Sequence, residues 1–335
     1  MRSSGRRKLN IKRPALFVCL VLIMLALLCS CGEEEPSGPA QNTANKAQNA
    51  APQNADPAPP ENAASPAAPI VLEPEASGIY TEETAKAIID YSHTQDGYVM
   101  VMFKEQTEKP LKAQIKCSRD TYTFTLAQGK WEVLPLGNGT DDYVVSVYEN
   151  IEANKYAVVA TVSFSALIKD EFAPFIRPNQ YVNYLDAPNT LKKAAELTAG
   201  RTDALSQVEV VYNFVVGTMT YDDELARTVK SGYLPVLDNV LARMKGICFD
   251  YASLMTAMLR SRGIPCKLVV GYAGEAYHAW ISVWSETEGW IDNAIFFDGK
   301  EWHRMDPTFA STGHKDKAVM QYIGDGSNYS EKYFY

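Results

Sequence analysis

Gly246-Ile-Cys-Phe-Asp-Tyr-Ala-Ser-Leu-Met-Thr-Ala-Met-Leu-Arg-Ser-Arg-Gly-Ile-Pro265 reads as one amphipathic helix with a cysteine in its first turn. Tyr251, Leu254, Met255, Met258 and Leu259 recur at helical spacing and define the face to be buried. Arg260 and Arg262 fall in the last turn, Gly263 suits the left-handed position just past it, and Pro265 cannot continue a helix. At the other end, Cys248 sits where the helix dipole concentrates partial positive charge, an environment that favours thiolate over thiol. Asp250 suits the same dipole, although its own charge partly opposes a thiolate.

A thiolate needs a base and something to orient that base. Tyr277-His-Ala-Trp-Ile-Ser-Val-Trp284 has strand character with His278 near its start, and Trp302-His-Arg-Met-Asp-Pro-Thr308 ends a second strand-like run in an acid followed by a turn-forming proline. The order Cys248, His278, Asp306 suits nucleophilic acyl transfer: the imidazole takes and returns the thiol proton, and the carboxylate fixes its tautomer and supports its charge.

Three blocks carry a family resemblance: Gly246-Ile-Cys-Phe-Asp-Tyr-Ala252 with Arg262-Gly-Ile-Pro-Cys266 behind it, His278-Ala-Trp280, and Trp302-x-x-x-Asp306-Pro-Thr308. In that order they resemble the transglutaminase-like superfamily, relatives of the papain-type cysteine enzymes, over roughly residues 179–310. The resemblance implies an α+β fold in which a central helix packs on an antiparallel sheet, with Cys248 as nucleophile, His278 as base and Asp306 as orienting acid. It departs from the pattern at Gly289-Trp-Ile-Asp292, which makes Asp292 a rival acid, and at residues 293–301, which read as an added hairpin turning at Asp298-Gly299. The superfamily places its second oxyanion donor upstream of the cysteine, where Tyr221 and Tyr233 are the candidates. Packing on the central helix is an equally good account of either tyrosine. The implied activity is attack on an amide through a thioester, ending in transamidation, deamidation or peptide hydrolysis according to the acceptor. Protein or peptide substrates are expected, cell-wall peptide among them, and no cofactor. The competing expectation is a catalytically silent module that binds such peptides.

The amino terminus points to export. Residues 1–31 hold six Lys/Arg, all before Pro14, and no acid, and an apolar run from Ala15 to Cys29 follows. That run is short for a membrane span and has signal-peptide flanks. Leu28-Cys29-Ser30-Cys31 resembles a bacterial lipobox, with Cys31 as the lipidated residue in preference to Cys29; an uncleaved anchor is the other reading. The expected location is therefore the outer face of a bacterial membrane. Residues 32–75 are rich in Ala, Pro, Asn and Gln and too poor in large apolar residues to order themselves, so a flexible tether is expected, spanning on the order of 40 Å as a coil. The chain carries 32 Lys+Arg against 40 Asp+Glu; removing the six basic residues of the signal leaves 26 against 40, a net charge of −14. Such an acidic ectodomain argues against a nucleic-acid partner.

Residues 76–172 alternate. Leu111, Ala113, Ile115 and Cys117 alternate with Lys112, Gln114 and Lys116, and further strand-like runs cover 98–103, 122–126, 143–148 and 156–164. This pattern predicts an antiparallel sandwich without a catalytic constellation of its own. Residues 173–335 form the expected catalytic domain, entered through a packed connector (172–184) and two helices over 189–199 and 204–219, the second capped by Asp203. The acidic run Tyr221-Asp-Asp-Glu224 lacks calcium-loop spacing and reads as a solvated loop. His93, 278, 303 and 314 form no zinc motif with the cysteines. His93 and His314 are expected in solvated loops and His303 in packing. Cys266 is expected to pack as a small apolar residue, with a bridge to Cys117 open.

Overall fold

The computed structural model describes residues 66–292, 295–297, 302–304, 308 and 329–335. Asp306, Cys31, His314, the Asp298-Gly299 turn and most of the expected tether lie outside these residues.

The alternating front segment folds as expected. Strands β1 (Thr81–Glu83), β2 (Ala87–Asp90), β3 (Tyr98–Phe103), β4 (Leu111–Lys116), β5 (Thr121–Leu126), β6 (Trp131–Pro135), β7 (Asp141–Glu152) and β8 (Lys155–Ala166) form two four-stranded antiparallel sheets, ordered β1-β2-β3-β6 and β5-β4-β7-β8. Leu111, Ala113 and Ile115 of β4 face the core with Tyr122, Phe124 and Leu126 of β5, and the intervening polar residues face outward. Period two thus decides which face is buried.

The helical lead-in follows. Helices α1 (Pro188–Leu197) and α2 (Ala204–Thr218) match the predicted spans, and the Asp203 carboxylate accepts from the Ser206 N–H at 2.8 Å as the N-cap of α2. After the two-residue strand β9 (Thr220–Tyr221), the acidic run departs from expectation. Asp222 caps a short helix, α3 (Asp223–Thr228), by accepting from the Leu225 N–H at 3.0 Å, and the remaining carboxylates occupy the first turn, where the dipole favours them. Helix α4 (Leu237–Arg243) and β10 (Lys245–Gly246) lead into α5 (Cys248–Arg260). Helix α5 packs on a four-stranded antiparallel sheet ordered β13-β12-β11-β16, made of β11 (Cys266–Ala273), β12 (Ala276–Ser285), β13 (Gly289–Ile291) and β16 (Tyr329–Phe334). Strands β14 (Ile295–Phe297) and β15 (Trp302–Arg304) pair antiparallel, as the added hairpin requires.

Two boundaries differ from the sequence expectation. Residues 66–75, assigned to the tether on composition, lie along the folded body: the Ile70 N–H donates to the Ser261 carbonyl at 2.8 Å, and Arg262 donates to the carbonyls of Ala67 and Ala68. Ile70, Val71 and Leu72 supply the apolar surface that the rest of the stretch lacks. The sandwich is also continuous with the half that contains α5: one apolar core runs from Ile89 through Phe124 to Tyr251 and Ile281. Strand β16 joins them, its Phe334 N–H donating to the Tyr122 hydroxyl at 3.5 Å while the Tyr122 ring packs against Tyr333 and Tyr335.

His93 departs from its expected solvation. It stacks on Tyr98 with ring centroids 5.2 Å apart, and its Nδ1 lies 3.0 Å from Asp96. Among the described cysteines Cys117, Cys248 and Cys266 are free thiols. Cys266 is fully buried beside Thr256, and burial pushes its thiol up to about 11.

Candidate active site

Cys248 is the first residue of α5, so its backbone N–H has no carbonyl one turn earlier to bond. Every residue of α5 from Asp250 to Arg260 is buried, whereas Cys248 and Phe249 keep partial exposure. The helix therefore presents only its first turn. Asp250 closes that turn: its Oδ2 accepts from the Ile247 N–H at 2.8 Å, and its Oδ1 accepts from the Tyr233 hydroxyl at 2.6 Å. A Cβ on Gly246 would lie 2.5 Å from the Asp250 Cβ, so this close approach requires glycine there. Burial pushes the Asp250 carboxyl up, opposed by the bonds from Tyr233 and Ile247. Burial also pushes the Tyr233 phenol up, and Asp250 adds to the shift. Tyr233 has one O–H and directs it at Asp250.

Tyr221 reaches the same place by a different route. Strands β9 and β10 pair in parallel with Tyr221 opposite Gly246, and the Asp222 N–H donates to the Gly246 carbonyl at 2.9 Å. The residue two positions before the cysteine thereby fixes Tyr221 beside the N-terminus of α5. Asp222 also pairs with Lys245 at 3.2 Å, which holds the two short strands together.

His278 lies on β12 opposite Gly271 of β11 and is 7% exposed. Its ring sits 6.1 Å from that of Trp280, tilted by only 26°, and Trp280 is buried among Phe175, Val269 and Phe334. The pleat sends His278 and Trp280 to one face of β12 and Tyr277 and Ala279 to the other, and at this end of the strand both faces reach the cavity. The Tyr277 phenol is pushed up by burial first, with Tyr333, Tyr272 and Cys248 adding to the shift.

Cys248, His278, Tyr221 and Tyr233 all line one cavity of about 500 Å³. The rival acid Asp292 does not line it; its carboxylate acts instead on Lys267, whose ammonium lies 3.7 Å over the Trp290 ring. Asp306 falls outside the described residues. Among the described residues no cluster of three or more His, Cys, Asp and Glu side chains could hold a metal.

Residues 192–307, which span this helix and sheet, match the sequence profile of the transglutaminase-like superfamily. The chain carries a transglutaminase-like superfamily domain. It is 25% identical over 235 residues to the uncharacterized protein YebA of Bacillus subtilis (strain 168), covering 62% of this chain and 30% of that protein. It is 26% identical over 99 residues to the protein-glutamine gamma-glutamyltransferase of Pseudomonas aeruginosa, covering 25% of this chain and 13% of that one. The matches thus span about a third or less of these relatives. Solved structures similar to the chain include one from Cytophaga hutchinsonii provisionally described as a cysteine protease, with a TM-score of 0.36, 13% identity and coverage of 76% of this chain and 78% of that one. Another is red sea bream transglutaminase, with a TM-score of 0.27, 13% identity and coverage of 68% and 53%.

The transglutaminase-like domain does not build its cavity alone. Lys112, Thr123 and Thr125 of the sandwich, Tyr181 of the connector and Tyr333 of β16 line it too. Phe249 and Tyr277 adjoin the cysteine and histidine motifs and were reachable from sequence by adjacency. Lys112 and the two threonines carried only the signal of an outward-facing strand position, and Tyr333 carried none.

Proposed function

We propose that the protein is a cysteine enzyme that acts on amide bonds of proteins or peptides through a thioester on Cys248. What supports this reading is that Cys248, at the one open turn of a buried helix, and His278 border the same cavity. The Cys248 sulfur attacks the amide carbonyl; His278 takes the thiol proton and delivers it to the departing nitrogen as the C–S bond replaces the C–N bond. Asp306 orients the imidazole. Transfer to an amine gives transamidation, and transfer to water gives deamidation or hydrolysis.

The developing oxyanion requires preorganised donors. The Cys248 backbone N–H is one, and Tyr221 is the second in this reading; Tyr233 is a positioning residue that holds Asp250. Removing one such donor costs about a hundredfold or more in turnover. Tyr221→Phe should therefore lower kcat by about that factor with little change in KM. Tyr233→Phe should act instead through the geometry of the first turn. A Tyr221→Phe variant with full turnover places the donor elsewhere.

The central test is site-resolved mass spectrometry of iodoacetamide labelling at pH 7 on the full-length protein. Wild-type Cys248 should react on the order of tenfold or more faster than in His278→Ala. Equal rates would favour a silent peptide-binding module of the same fold. Amine incorporation and ammonia release then separate transamidation from hydrolysis. The same reading has the chain exported and lipidated at Cys31 on the outer face of a bacterial membrane, with cell-wall peptide among its substrates. Mass spectrometry of the mature amino terminus should find an acylated Cys31, and a free Met1 would refute the anchor.

A further inference from the structure

The described lining of the cavity carries a charge opposite in sign to that of the chain. The chain is acidic, with a formal net charge of −8, yet no Asp or Glu occurs among the described residues that line the cavity, whose only fully charged side chains are Lys112 and Lys230. Neither lysine takes part in a salt bridge among the described residues. Cationic walls in an acidic protein are an electrostatic feature in their own right, since a cleft lined by one sign of charge raises the local concentration of the opposite sign.

The fold fixes the backbone that carries both lysines. Lys112 lies on the outward face of β4, directly opposite Thr125 of β5, and its ammonium rests 4.1 Å over the Tyr156 ring. The connector is fastened to the same wall: Gln180 donates to the Thr125 carbonyl at 2.7 Å and the Tyr181 hydroxyl to the Thr123 carbonyl at 3.2 Å. Lys230 sits on the loop between α3 and α4. That loop presses on the sandwich at Gly232, where φ is +87° and a Cβ would lie 2.9 Å from the Thr125 hydroxyl oxygen. Its Tyr233 then reaches Asp250 in the first turn of α5. One lysine is therefore carried by the rigid sandwich and the other by a loop pinned at both sides.

We infer that the cavity selects acyl donors bearing a carboxylate near the amide that Cys248 attacks, with Lys112 and Lys230 as the specificity-determining cations. The inference rests on the acyl-transfer reading above. It gives the sandwich a part in substrate choice beyond presenting the catalytic half.

The test uses two small electrophiles of nearly equal size and different charge, iodoacetate and iodoacetamide. Each loses iodide as the Cys248 sulfur forms the new C–S bond, and the rates are followed by site-resolved mass spectrometry on the full chain. The iodoacetate-to-iodoacetamide rate ratio at Cys248 should exceed that of a neutral model thiol, N-acetylcysteinamide. In Lys112→Gln and Lys230→Gln it should fall about three- to tenfold per charge removed, and added salt should lower the wild-type ratio. Lys192→Gln, which removes the same charge from the exposed side of α1, should leave the ratio unchanged. Ratios equal in wild type and both cavity variants, with Cys248 still dependent on His278, would overturn the selectivity and leave the enzyme reading intact. A Cys248 that reacts with both reagents no faster than the model thiol, whatever residue 278 is, would overturn both. Protection of Cys248 by acetyl-Ala-Ala with a free carboxyl terminus, compared with acetyl-Ala-Glu-amide and the neutral acetyl-Ala-Gln-amide, identifies which carboxylate, terminal or side-chain, the lysines accept.

Discussion

Asp250 shows how one residue serves two ends at the site. Its carboxylate closes the first turn of α5 and accepts from Tyr233, and burial pushes its pKa up from the ordinary carboxylate value. The folded protein thus binds that proton more tightly than the unfolded chain does. The contribution to stability is present below the unfolded value of about 3.9 and is lost as pH rises through the folded value. Relative to Asp250→Asn, wild type should therefore lose stability as pH is raised from about 4 toward 7, as read from urea midpoints across that range. Wild type gaining on the variant over the same range would mean that the hydrogen bonds outweigh burial. The sequence placed Asp250 in the first turn and anticipated its dipole role. It could not supply the burial or the hydrogen bond from Tyr233, 17 residues earlier.

At the scale of the element, α5 is both well predicted and tightly held. Its apolar spacing, cysteine and terminal Gly-Ile-Pro were all legible, because helix periodicity and stop signals are local. Arg260 falls in the last turn, as the sequence indicates, and is fully buried. Its guanidinium donates to the Cys266 carbonyl at 2.9 and 2.7 Å, to Arg177 at 2.7 Å and to Tyr335 at 2.6 Å, tying the helix to β11, the connector and the residue after β16. Arg260→Met would leave three carbonyls without these donors and should cost about 3 kcal/mol or more, measured by urea unfolding. A loss under about 0.5 kcal/mol, the range of an ordinary surface substitution, would show that water replaces the guanidinium.

Across the whole molecule, the two halves read as separate domains from sequence share one core. The sandwich strand β5 packs Tyr122 and Phe124 against Tyr335, and β16 is hydrogen-bonded to β11 of the sheet on which α5 packs. Residues 66–335 should therefore unfold in a single cooperative transition by calorimetry and by near-ultraviolet circular dichroism. Tyr122→Ala should cost about 3–5 kcal/mol and lower the midpoint of that transition as a unit. Two resolved transitions, with only one moved by the substitution, would restore independent domains. The sequence by itself determined the elements: alternation specified the sandwich strands, helical spacing specified α5, and three short motifs marked Cys248, His278 and Asp306 as candidates. Each of these signals is carried by residues a few positions apart along the chain, and local sterics and hydrophobic periodicity suffice to read it. Only the tertiary structure decided which distant side chains complete the cavity. Lys112 from β4, Tyr233 from a loop and Tyr333 from the last strand converge because sheets and helices must bury their apolar faces on one another, and no local pattern records that convergence.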